Sequence, residues 1–243
     1  KEVVQWMSRH GKRFLDPDII GMITFLPQLF SRQEVSLTGL LKGNRLMHFL
    51  CQLTEGAVIQ ELPRKVLIPA VDLKSGDTIA FTNLMEGGIT DAARRQENVR
   101  WEKKGPLCEI MMASASVPAV FQPRRISGYC MVDGGVTNNL PVDLLIAAGV
   151  KRVIAVDIGA DYKTPHDTSI LDIASHSFSI MSRELKECRS SGEIFLLKPE
   201  LKTGAGLLTF EYMESCMEEG YHYTKRWMKL IKRALEKPVR NQL

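Results

Sequence analysis

The sequence predicts an α/β fold, a three-layer sandwich with a mainly parallel central sheet flanked by helices. Three observations carry this expectation. Strand-like apolar runs alternate with helix-like periodic segments along the chain, the order that builds βα units. The run "KRVIAVDIG" holds Val153, Ile154, Ala155 and Val156 with no polar alternation, as in a strand covered on both faces. A long periodic segment from about Glu211 to Glu236 closes the chain as a helix.

In order from the start, "EVVQWMSRH" at residues 2–10 places Val3, Trp6, Met7 and His10 on one helical face, with no N-cap residue before it. Residues 17–43, mixed in character and including "TGLLKG", are expected to be irregular connections and short turns. A helical face returns with Leu46, Phe49, Leu50 and Leu53. "KVLIPAVDL" predicts a buried strand in which Pro69 marks a bulge or an edge position. "KSGD" is a turn, and "TIAFT" returns beside the first strand as a hairpin.

Residues 86–106 are polar, charged and glycine-punctuated, and are expected to be an exposed excursion. "LCEIMMASASVPAVFQP" passes from helical periodicity to small residues and prolines. A strand, "YCMVDGG", follows, then a helix with Pro141 in its first turn and Gly149 at its stop. After "KRVIAVDIG" the pattern predicts a helix over 170–187 and a strand at "EIFLLKP". No segment is low-complexity or repeated, so residues 1–243 are expected to form a single domain.

Charge and cysteine usage exclude several classes of function. With 32 basic and 28 acidic residues the net charge is +4, too slight for nucleic acid and compatible with an anionic surface. The five cysteines are odd in number, widely spaced and without a C-x-x-C pair, which argues against a disulfide framework or a structural zinc and for a reducing compartment. No apolar stretch of about twenty residues occurs. A cytoplasmic location, peripheral to a membrane at most, is the expectation.

The stretch "YCMVDGG" carries the chemistry. Asp133 ends a strand, where reactive groups of layered α/β folds sit, and Gly134 and Gly135 permit positive φ and close approach of another segment. An Asx-turn in which Asp133 caps the following amides accounts for the same residues.

The ordered set "ASASVPAVFQP", "VDGGVTNNLPVD" and "VIAVDIG" resembles the second half of a patatin-like phospholipase domain. "LIPAVDLKSGDTIAF" resembles that family's hairpin, and "KPEL", "TF" and "EEGYHYTKRW" its final strand and helix. The resemblance implies a lipid acyl hydrolase that works with a Ser-Asp dyad, without cofactor or metal, on a phospholipid or other acyl ester. Asp133 matches the dyad aspartate. An ordinary carboxylate, with a pKa near 3.9, is a poor base for a serine hydroxyl, so such a site needs desolvation and a direct hydrogen bond to the nucleophile.

No serine of this chain lies in the G-x-S-x-G that the family's nucleophile elbow uses, and the Gly-rich oxyanion loop is missing too. The resemblance therefore implies that both lie upstream of Lys1, that residues 2–10 follow the elbow, and that this chain alone is inactive. A catalytically inactive remnant that acts by binding is the alternative.

The resemblance further implies that Ser114, Ser116, Pro118 and Phe121 border the acyl pocket, with Gly134 and Gly135 supporting the active-site loop. Other candidates have plainer explanations. Ser127 fits a turn, and His166 a solvated loop. Asp157 lacks the G-x-G-x-x-G of a nucleotide fold. Lys225, Arg226, Lys229, Lys232 and Arg233 on the last helix offer either a lipid-surface contact or a solvated face. Oligomeric state is not legible.

Overall fold

The computed structural model describes residues 1–31, 37–84, 90–159, 170–189, 192–201 and 208–236. Strands β1 (Leu67–Asp72) and β2 (Thr78–Thr82) form the expected hairpin, with Leu67 opposite Thr82 and Val71 opposite Thr78. Asp72 closes the turn. Its carboxylate accepts from the amide and hydroxyl of Ser75 and from the Cys130 amide of the neighbouring strand.

Further along lie β3 (Val99–Glu102), β4 (Arg124–Ile126) and β5 (Tyr129–Asp133), which complete a five-stranded sheet in the order β3-β2-β1-β5-β4. β4 and β5 are a second hairpin, turned by Ser127 and Gly128 at φ of 51° and 85°. A two-residue turn with left-handed backbone matches the twist of the strands it joins. Ser127 is thus the turn residue expected, whereas β4 lies in a segment too short and too basic to be read as a strand.

The sheet expected to be mainly parallel is mostly antiparallel. β1 pairs antiparallel with both β2 and β5, and β4 with β5, while β3 alone runs parallel to its neighbour. Apolar runs identify strands without fixing their direction. The connections fix it, because segments 73–77 and 127–128 are far too short for the crossover that parallel neighbours need. A second parallel pair, β6 (Ile154–Val156) with β7 (Phe195–Leu197), forms its own two-stranded sheet.

Helices cover both faces of the large sheet. On one side Ile110 and Ala113 of α5 (the Leu107–Ser114 helix) pack against Ala70, Ile79, Phe81 and Met131, all buried. On the other, Ala93 of a short helix (Asp91–Arg94, α4) and Ala147 of α6 (Val142–Ala147) meet Leu67, Leu84 and Trp101. The helix-sheet-helix layering is as expected. Residues 86–106, however, are not wholly an exposed excursion: they contain α4 and the edge strand β3, whose Trp101 indole donates to the Ala93 carbonyl. Charged residues on an edge strand hide its pattern because one side of it faces water.

Three other expectations change. Residues 17–43 include a helix, α2 (Ile19–Phe30), whose first turn is capped by the Asp18 carboxylate on the Gly21 amide. Its near-uniform apolarity shows no helical period, and Pro27 reads as a breaker although the chain turns on to Ser31. Cys51, on α3 (Asn44–Thr54), is disulfide-bonded to Cys108 on α5, against the expectation of unpaired thiols. The two helices pack side by side and erase a sequence separation of 57 residues. Finally, β6 buries Ala155 but exposes Ile154 and Val156, so only its α6 side is covered among the described residues.

The helices read from periodicity are present as α1 (Glu2–His10), α3, α5, α6, α7 (Ile170–Arg189) and α8 (Met213–Glu236). Trp6 of α1 stacks flat on Phe49 of α3, centroids 4.9 Å apart, which fixes the start of the chain to the body of the fold. No described helix is long and apolar enough to cross a membrane.

Candidate active site

Side chains alternate along β5, so Tyr129, Met131 and Asp133 point to the face covered by α5. The strand thereby delivers Asp133 to the end of that apolar layer. There its amide donates to the Ser116 carbonyl at 3.0 Å, where the chain leaves α5. One carboxylate oxygen, Oδ1, accepts from the Gly135 amide at 2.7 Å. This is the Asx-turn that residue type alone suggests. The other oxygen, Oδ2, has no hydrogen-bond partner among the described residues.

Burial pushes the Asp133 carboxyl above the usual carboxylate range, and the Gly135 hydrogen bond opposes this without cancelling it. The acid is therefore both a turn residue and a better base than an exposed aspartate.

The glycines work by closeness, not by handedness. Neither Gly134 nor Gly135 has positive φ, which corrects half of the expectation for them. A Cβ on Gly134 would overlap the carbonyl oxygen of Pro69 on β1. One on Gly135 would stand 3.0 Å from Asp133 Oδ1 and 3.2 Å from Asn139 Oδ1. Pro69 is neither at a bulge nor on an edge strand: β1 is central, but its pairing with β5 begins only at Ala70, which leaves room beside Pro69 for the glycine turn.

Several residues that sequence reasoning missed hold this turn. The Gly134 carbonyl accepts from the Asn138 amide at 2.9 Å, and the buried Asn138 side chain donates to Asp143 at 2.6 Å in the first turn of α6. Thr137 shares a 2.7 Å hydrogen bond with Thr78 of β2. Ser182, buried on α7, donates to the Gly135 carbonyl at 3.2 Å. No local pattern could have signalled Ser182, because its partner is 47 residues away.

Of the residues expected at a pocket border, Ser116 is fully buried and its hydroxyl donates to the Met112 carbonyl at 2.7 Å. Ser114 ends α5. Phe121 is packed with Leu41, Met112 and Val120. Between Pro118 and Phe121, Ala119 adopts φ of 67°, a strained conformation for a residue with a Cβ. Asp157 caps its own turn through the Gly159 amide at 3.1 Å. His166 lies outside the described residues. No group of three or more potential metal ligands converges among those described.

The profile of the patatin-like phospholipase family matches residues 24–146, half of the chain, and that span contains β1 to β5 and Asp133. An uncharacterized NTE family protein of Mycobacterium tuberculosis is 22% identical over 54% of this chain and 31% of its own length. The lysophospholipase NTE1 of Candida albicans is 39% identical over 26% of this chain and 5% of its own. The patatin-like phospholipase domain-containing protein 6 of mouse is 35% identical over 29% of this chain and 5% of its own. The chain thus spans under a third of the length of each of these relatives.

Proposed function

The chain belongs to the patatin-like phospholipase family, and on that premise we propose that it is the C-terminal part of a lipid acyl hydrolase domain in which Asp133 is the general base. The observation that carries this reading is the state of the Asp133 carboxylate, with Oδ1 fixed by Gly135, Oδ2 uncommitted and its proton affinity raised by burial. A serine hydroxyl brought to Oδ2 would lose its proton to Asp133 as its oxygen attacks the ester carbonyl. The leaving alcohol would take that proton, and water would repeat the exchange to free the acid.

The serine comes from outside these residues. Of the two serines hydrogen-bonded to the turn among the described residues, Ser116 spends its hydroxyl on Met112 and Ser182 on Gly135, and neither stands in a G-x-S-x-G. The relatives named as lysophospholipase and phospholipase supply the substrate class, a phospholipid or lysophospholipid acyl ester.

The test compares this chain with one extended to include the elbow. The extended form should take up one fluorophosphonate and hydrolyse lysophospholipid, and Asp133→Asn should lower its kcat by roughly 10²–10⁴, while the 243-residue chain takes up none. A stoichiometric adduct on the shorter chain, or full activity of D133N, would overturn the assignment. An extended form that neither reacts nor hydrolyses would point instead to a binding module.

A further inference from the structure

Helix α2 presents a surface that the described residues leave open. Ile19, Ile20, Ile23 and Phe30 are 59%, 70%, 68% and 84% exposed. With the exposed Pro27 they fall at i, i+1, i+4, i+8 and i+11, a single helical face. Scattered apolar residues are ordinary on a surface, but a continuous stripe on a helix with no charged residue marks an interaction site.

The charges at the foot of this helix indicate what covers it. Both acidic side chains there are occupied internally. Asp16 accepts the amides of Gly43, Asn44 and Arg45, and Asp18 caps Gly21 and accepts from Gln122. Lys12 and Arg13 are exposed cations, Arg45 reaches the carbonyls of Arg13 and Leu15, and Lys42 pairs with Asp18 at 3.7 Å. An uncharged apolar stripe with a cationic collar complements an anionic phospholipid surface, with acyl chains for the first and phosphates for the second. A second copy of α2 would offer that collar no acidic partner.

We propose that α2 lies at the boundary of headgroups and acyl chains in an anionic phospholipid bilayer, its Ile19–Phe30 stripe immersed and the collar on the lipid phosphates. The proposal rests on the lipid hydrolase reading for its purpose, and the connection to that site is direct. The Asp18 amide donates to the Leu40 carbonyl, and Leu40 and Leu41 donate to Ala119 and Val120, just beyond the Ser116 carbonyl that holds Asp133. The membrane helix and the base thus share one short backbone path. α8, where basic residues first suggest lipid contact, also has an apolar face, but α8 packs on α1 and β7, with Trp227 beside Phe195.

Flotation of the 243-residue chain with ether-linked phosphatidylglycerol–phosphatidylcholine vesicles tests this without any hydrolysis. The chain should bind, at least about tenfold more tightly than to phosphatidylcholine alone. Ile20→Glu with Ile23→Glu should weaken binding roughly 100-fold with unchanged thermal melting, whereas Leu230→Glu on α8 should change it less than about twofold. Equal binding by the double variant, or no binding by the unaltered chain, overturns the proposal. So does a dimer that the double variant abolishes in the absence of vesicle binding, which would assign α2 to self-association. Failure of the hydrolase reading appears elsewhere, as ester lipids left intact by the extended chain, and leaves flotation untouched.

Discussion

Gly134 lies so close under the carbonyl of Pro69 that a single added carbon would overlap its oxygen. The missing side chain lets β1 and the turn beyond β5 touch.

Gly134→Ala should therefore lower stability by about 1–3 kcal/mol, the usual range for overpacking against a backbone that cannot yield. Gly135→Ala meets only the side chains of Asp133 and Asn139 and should cost under about 1 kcal/mol. Urea unfolding of the two variants measures the difference, and equal losses would show that Pro69 is free to move.

The raised proton affinity of Asp133 has a sign that can be read from stability. An unfolded aspartate ionises near pH 3.9, whereas the buried one, pushed up by desolvation, holds its proton to higher pH. Its contribution is fully present below the unfolded value and is lost as pH rises through the folded one. Asp133→Asn keeps an oxygen for the Gly135 amide and carries no charge. Its Tm relative to the unaltered chain should rise from about pH 4 toward neutrality, and a Tm difference flat in pH would refute the desolvation.

Asp16 accepts three successive amides at the start of α3, at 2.7, 2.8 and 3.2 Å. Asp16→Ala leaves those donors without their acceptor and should cost about 1–2 kcal/mol, seen as a lower urea midpoint at unchanged slope. Asp16→Asn should recover part of it, because one amide oxygen still accepts.

The Cys51–Cys108 bond closes a 57-residue separation. On loop entropy alone, reduction should lower stability by up to about 4 kcal/mol. Unfolding with and without dithiothreitol measures this. Alkylation of the native chain should modify neither Cys51 nor Cys108, and labelling of both without a reductant would show that the bond is not formed.

Part of the candidate site's local geometry was legible before the structure. Asp133 and its glycines stand out because a strand-forming run ends in an acid followed by residues without side chains, and periodicity located α1, α3, α7 and α8. Local signals failed where partners are distant. The burial that raises Asp133 comes from its place at the edge of the α5 layer, Ser182 reaches Gly135 from a helix far along the chain, and Cys51 meets Cys108 only because α3 lies on α5. α2 was missed for another reason. It is apolar on its exposed side as well as its other side, so the apolar-polar alternation on which periodicity depends is absent.

The sequence by itself determined the alternation of strands and helices, the hairpin at "KSGD" and the identity of the carboxylate at the end of β5. Tertiary structure alone decided that the large sheet is mostly antiparallel, that Gly134 is needed for Pro69 and not for its φ, and that Asp133 is desolvated enough for its proton affinity to rise. The division follows from range. Propensity, periodicity and turn chemistry act within a few residues, while strand direction, close approach and desolvation are properties of segments that meet only when the chain has folded.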